Sequence, residues 1–314
     1  MSRVVTAMVF SWMAFAQKTP DSELVSASKS PYDLARYIDS HTNFDWKPLW
    51  NSLGLVDASL LPCEWPAGCS TELLTVLEPQ QTVLVIDTQW NAEVYVRYFG
   101  SESGGWRRAG AYAVPIKNYP PRHQVSRLDR KSFLRIAAQG VSGSDVSSEV
   151  EQWIDLNQPD FKPVFAFTTQ GHQSRLGFGI SREIHASARP DIIGQVETIK
   201  INLEVRYSGI DVDLGGWSQY TATYERDPQQ KDFTLRDVKS GLTGSSTMSN
   251  KEFEDLVDLD AGPANEHLLV YALAGLKEVA SGKNVNAKEW LRSMLGHCKD
   301  TPEKRELFEL LAKP

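Results

Sequence analysis

The stretch "TIKINLEVRY", residues 198–207, decides the fold class. Ile199, Ile201, Leu203, Val205 and Tyr207 fall on alternate positions, with Thr198, Lys200, Asn202, Glu204 and Arg206 between them. Successive side chains of a strand point to opposite faces, so this pattern reads as a strand with one buried and one wetted face. A single wetted face is the mark of an antiparallel sheet.

The same signal recurs on both sides of this stretch. Upstream, "TVLVID" (82–87) is a short apolar run of the buried-strand type, and "AEVYVRYF" (92–99) puts Val94, Val96 and Tyr98 on one face. "WRRAGAYAV", "SFLRIAAQ", "VEQWIDL" and "PVFAFTTQ" continue the series. Downstream, "WSQYTATYER" and "KDFTLRDV" form a hairpin across "DPQQ". Loops, not crossover helices, join these strands, which argues against a parallel nucleotide-binding sheet.

Helical spacing brackets the strands. "PYDLARYIDSH" places Leu34, Tyr37 and Ile38 on one face behind Pro31. After residue 248, Ser249 or Asn250 can cap "KEFEDLVDL", and "PANEHLLVYALAGLKEVASG" ends at Gly282. "TPEKRELFELLAK" carries Thr301 as cap and Pro302 at its first helical position. The expected fold is α+β. An antiparallel sheet or sandwich forms the core, with a small N-terminal helical cap and a helical C-terminal region.

A self-match divides the β region. "VYVRYFGSESGGWRRAGAY" and "LEVRYSGIDVDLGGWSQYTATY" share V-R-Y, a glycine, a loop ending G-G-W, and a strand that reaches a tyrosine. Either two related β modules stand in tandem or two hairpins of similar composition look alike. The expected order is a signal peptide over residues 1–16, a disordered linker over 17–31 and a helical cap with the cysteine loop over 32–78. The β modules follow over 79–170 and 171–248, and the helical region over 249–314.

Compartment is read from the N-terminus. "MSRVVTAMVFSWMAFA" has a positive start at Arg3, an apolar run and the small residues Ala14 and Ala16, and is followed by a polar segment. That is the three-part pattern of a secretory signal peptide, with an apolar stretch too short for a stable transmembrane anchor. The expected location is periplasmic or secreted. Export favours a disulfide between Cys63 and Cys69 across the turn-forming "EWPAG". Two buried free thiols are the alternative. Metal is not expected, because only Cys298 and scattered histidines remain as further ligands.

Composition is ordinary for a globular chain: 314 residues, 41% hydrophobic and 23% charged. The formal net charge of −7 argues against a dedicated nucleic-acid binder. Charge is unevenly distributed. Residues 105–136 hold eight basic residues and one acid, whereas residues 17–80 hold four basic and nine acidic. Arg122, Arg127, Arg130 and Lys131 lie in "PPRHQVSRLDRK", read as a loop whose cations could converge on an anionic ligand. The competing expectation is that the acidic N-terminal region folds over this loop and neutralises it.

No catalytic motif is complete. "GVSGS" lacks the last glycine of a nucleophile elbow, and "DVDLGG" lacks the further ligands of a calcium loop. Of the histidines (His41, His123, His172, His185, His267 and His297), His172 is the candidate ligand-binding residue. It sits in the Gly-flanked "TTQGHQSRLGFG", with His185 thirteen residues on. Exposed tryptophans on a β face could also contact sugar. The sequence therefore points to an exported, non-enzymatic binding or structural accessory protein without cofactor. Its ligand is an anionic or carbohydrate component of the envelope, and it uses neither nucleic acid nor a membrane anchor. A secreted hydrolase acting on an extracellular polymer is the rival class.

Overall fold

Four layers stack along the molecule, and each exists because a strand or helix has an apolar face to cover. In the computed structural model the described residues are 22–41, 47–55, 69–76, 80–88, 92–128, 131–176, 180–193, 196–209, 212–214, 218–226, 229, 231–240, 248–259, 269–270 and 272–313.

The first layer is helical: α1 (Ser22–Ala27), α2 (Pro31–Ser40) and α3 (Lys47–Ser52). Ser30 accepts from the Asp33 amide at the start of α2, and Pro31 follows it in the first turn. Leu34, Ile38, Leu49 and Trp50 form its inner face. The second layer is a sheet of β1 (Ser70–Val76), β2 (Gln81–Asp87), β3 (Ala92–Gly100) and β4 (Trp106–Pro115), in that order. One face (Leu84, Ile86, Val94, Val96, Tyr98) meets the helices, and the other (Val83, Val85, Tyr95) meets the third layer.

The third layer is a nine-stranded antiparallel sheet. It contains β5 (Arg122–Leu128), β6 (Lys131–Ser142), β7 (Val146–Asp155), β8 (Pro163–Leu176), β9 (Ile180–Ile193), β10 (Val196–Gly209), β11 (Val212–Asp213), β12 (Ser218–Arg226) and β13 (Thr234–Ser240). The path runs β13-β12-β10-β9-β8-β7-β6-β5, with β11 paired to β10. The alternation that opened the reading holds in β10 from Ile199 to Tyr207, but Thr198, expected on the wetted face, is fully buried. Ile199, Ile201, Leu203, Val205 and Tyr207 are all at most 3% exposed. Each such apolar side chain stabilises the fold by ~1.5–3 kcal/mol. They pack against the fourth layer, α4 (Asn250–Val257), α5 (Leu273–Ser281), α6 (Val285–His297) and α7 (Pro302–Leu311). Ser249 caps α4 in a reciprocal capping box with Glu252, and Thr301 caps α7 with Pro302 in its first turn.

Three buried arginines join these layers. Arg97 of β3 donates to the carbonyls of Leu156 (3.2 Å), Gln158 (2.8 Å) and Pro159 (2.7 Å), tying the small sheet to the turn after β7. Arg182 of β9 donates to the Leu256 (2.8 Å) and Asp258 (2.7 Å) carbonyls at the end of α4. Arg226 of β12 binds Glu197 and Asp155 and lies over the rings of Phe133 and Phe233, closing one end of the large sheet on itself.

Several expectations require correction. Residues 17–31 are not all linker, because Ser22–Ala27 is helical and Leu24 is buried against the first core. Residues 70–76, assigned to the helical cap, form β1. "PPRHQVSRLDRK" is not a loop: Arg122–Leu128 is the edge strand β5, held by β6 over its whole length. The expected boundary at 170/171 falls inside β8. The two V-R-Y segments lie in different sheets, with Arg97 buried and Arg206 half-buried on the wetted face. Residues 1–16, Cys63, Arg130 and His267 lie outside the described residues.

Candidate functional site

Strand register assembles a polar surface that spacing along the chain does not reveal. Gln139 of β6, Glu149 of β7, Gln170 of β8, His185 of β9, Glu204 of β10 and Gln219 of β12 are successive cross-strand partners. The next row is Ser147, His172, Glu183 and Arg206. Directly opposed side chains stand ~4.5–5.5 Å apart at Cβ, so each row is a line of neighbours, on the face opposite Ala138 and Val150 in β6 and β7 and opposite Ile184 and Leu203 in β9 and β10. Above β6–β9 the two rows line a depression of about 460 Å³.

Local irregularities shape this depression. A bulge in β8 leaves Thr169 unpaired between Thr168 and Gln170, and its hydroxyl donates to a Glu149 carboxylate oxygen at 2.8 Å. Arg122 donates to the other oxygen at 2.6 Å. Bulges re-aim side chains beside sites, and this one fixes Glu149 as an oriented acceptor. A second irregularity lies at Gly140, where any Cβ would collide with Ser148 and Val150. The β4–β5 connection crosses this rim. The Asn118 amide donates to Gln139 at 2.9 Å and Lys117 donates to the Gly140 carbonyl, which sets the exposed Tyr119 at the depression's edge.

A second, smaller hollow of about 290 Å³ continues past Glu149, lined by Arg122, Gln124, Arg135 and Glu151. Arg135 pairs with Glu151 at 2.6 Å and lies 4.7 Å from the centre of the Trp153 ring. Its wall ends at His123, part of a polar cluster between the sheets. His123 Nδ1 lies 2.7 Å from Glu93 and Nε2 lies 3.1 Å from Glu72, and the Tyr95 hydroxyl donates to Glu93. The Glu93 hydrogen bond holds the His123 pKa above the usual imidazole range against the opposing effect of burial, and Glu72 adds to the rise. Burial, then Glu93, pushes the Tyr95 phenol far up, so it stays a neutral donor.

The residues expected to bind a ligand separate in the structure. His172 lies in the depression, and Arg122 stands beside it, paired to Glu149. Lys131 is at the opposite end of the β5–β6 hairpin, paired to Glu197. Arg127, five positions from Arg122 on the same strand, takes the other face of β5. The partners of Arg122 and Lys131 come from β7 and β10, not from the acidic N-terminal region. His185 is on the neighbouring strand but diagonal to His172, because Gln170 faces His185 and Glu183 faces His172.

Trp153 is core and Trp106 packs half-buried near Tyr32, so neither offers a sugar-stacking surface; Trp65, Trp90 and Trp217 lie outside the described residues. Glu149, Glu183, Gln139 and Gln170 were missed by sequence reasoning. The signal for Glu183 was present: "REIHAS" alternates Glu183 and His185 with Ile184 and Ala186.

Cys69 is disulfide-bonded and Cys298 is a free, buried thiol. Among the described residues no group of metal-ligating side chains could hold an ion, and no helix is long and apolar enough to cross a membrane. No protein-family model matches the chain, and neither a curated protein nor a solved structure is significantly similar to it.

Proposed function

We propose that this chain is an exported binding protein that holds a hydroxyl-rich saccharide of the cell envelope or exterior on the polar face of β6–β9. The observation that carries this reading is the pair of cross-strand rows, which brings Gln139, Gln170, His172, Glu149 and Glu183 into one hollow. Amides and imidazoles both donate and accept, and carboxylates accept, which matches the dual character of sugar hydroxyls. A rigid sheet also holds such groups without an ordering cost on binding. An anionic ligand is the weaker reading, because Arg122 and Lys131 are already paired with carboxylates.

Screening the intact protein on a glycan array, then calorimetry with the best ligand, tests the proposal. His172→Ala together with Glu183→Gln is expected to weaken binding at least tenfold while leaving the unfolding midpoint in place, since both side chains lie on the wetted face. Export carries two further expectations. The mature chain starts at Gln17, and Cys63 is the disulfide partner of Cys69. Mass spectrometry of unreduced exported protein checks both.

The rival reading, a hydrolase of an extracellular polymer, draws on Ser147, His172 and Glu183 being consecutive cross-strand partners. That row could supply nucleophile, base and orienting acid. Polymer turnover that Ser147→Ala abolishes would favour it over simple binding.

A further inference from the structure

A third hollow lies on the opposite side of the large sheet, and it has the reverse chemistry. Strands β8 and β9 are 14 residues each, yet they pair only over Gln170–Leu176 and Ile180–His185. Below that point β8 keeps its pairing with β7, and β9 keeps its pairing with β10. The two strands therefore part, and small residues keep the gap open. Ala186 and Ala188 of β9 oppose Leu203 and Ile201 of β10, at inward positions where strands favour larger, β-branched side chains.

The result is a pocket of about 230 Å³ beneath α4. Ile201 and Leu203 are its buried floor, and Phe253 of α4 is the buried part of its roof. Phe167, Tyr224 and Val257 are half-buried walls, and Ala166 is exposed at the mouth. The roof is fixed at both ends. Ser249 and Asn250 pin the start of α4, the latter by donating to the Leu235 carbonyl at 3.1 Å, and Arg182 holds its end. The pocket therefore does not close by a small shift of the helix.

We propose that this pocket is a binding site for a small, neutral, apolar molecule carrying at most one hydrogen-bonding group. Water gains little here, because a buried water typically makes about three hydrogen bonds and the lining side chains offer only two hydroxyls, Thr168 and Tyr224. An empty space loses the dispersion contacts of every atom lining it. Cavities of roughly 150 Å³ with similar lining hold benzene, so this one suits a single substituted ring or a short alkyl chain. Burial, then the nearby Glu254, pushes the Tyr224 pKa up to about 12, so the phenol is a neutral donor. The same carboxylate repels an anionic guest. This site does not depend on the polar-face reading: Ala186 and His185 are adjacent residues whose side chains point to opposite faces.

Toluene is the probe, with benzoate as its anionic counterpart, and calorimetry and thermal unfolding of the full chain are the readouts. Toluene should bind one to one, with a negative heat-capacity change and a raised unfolding midpoint, whereas benzoate should do neither. Ala186→Leu should weaken toluene binding at least tenfold while leaving the chain folded. Should that variant fail to fold, Ala166→Phe at the mouth serves the same purpose. His172→Ala with Glu183→Gln should leave toluene binding intact. Absence of toluene binding to the folded wild-type chain, or undiminished binding to a folded filled variant, would overturn the site. Equal binding of benzoate would overturn the assignment to neutral ligands.

Discussion

Arg226 shows how much one residue can hold in this fold. It is 2% exposed and binds Asp155 and Glu197, which come from the far ends of β7 and β10. Removing one member of a buried ionic group strands the others, at a cost of ~3–5 kcal/mol. Arg226→Leu should therefore lower the unfolding free energy by that order in urea titration; a loss under ~1 kcal/mol would mean the carboxylates find other partners. His123 makes a pH-dependent contribution. Glu93, Glu72 and Tyr95 face it, and Asp87 lies near Tyr95. Because its folded pKa is raised, its stabilisation is fully present below the unfolded value of ~6.5 and is lost as pH climbs through the folded value. The stability gap between wild type and His123→Phe should thus narrow on the alkaline side. A gap that widens as pH rises from 6.5 would reverse the sign assigned here.

At the scale of elements, legibility followed from where each element's neighbours lie. β10 could be read directly, because alternation alone distinguishes a buried face from a wet one. β3 could not: Val94, Val96 and Tyr98 face the helices as expected, but Glu93, Tyr95 and Arg97 are buried too, against layers far away in sequence. β5 was hidden by Pro120, Pro121 and its charges, although the strand starts immediately after the prolines and gains its order from β6. The polar rows were unreadable for a similar reason. His172 could be singled out from its glycine-flanked setting, but its neighbours Ser147 and Glu183 are fixed by register, which depends on turns and bulges between strands. Helix starts were the most legible feature, because a cap acts within four residues. Ser249→Ala removes the side-chain half of the α4 capping box, leaving the backbone amide of residue 249 bound to Glu252, and should cost ~1 kcal/mol, measurable by chemical denaturation. No measurable loss would mean that Arg182 and Asn250 alone hold α4 in place.

On the scale of the whole molecule, the large sheet presents two unlike faces. Apolar residues meet the C-terminal helices, line an apolar pocket and, on β6 and β7, meet the small sheet, whereas rows of Gln, Glu, His and Ser line a wetted hollow. The stacked layers on either side leave that polar hollow as the place where a rigid array of hydrogen-bonding groups meets solvent. The most direct test of its role is two-dimensional NMR of the labelled chain titrated with the oligosaccharide that binds best on the array. The account predicts saturable shifts of the Gln139 and Gln170 side-chain amides and of the His172 and His185 ring signals, with the Arg226 and Ile201 signals unmoved. Binding that leaves all four polar side chains unshifted, or that moves only signals elsewhere, would contradict it.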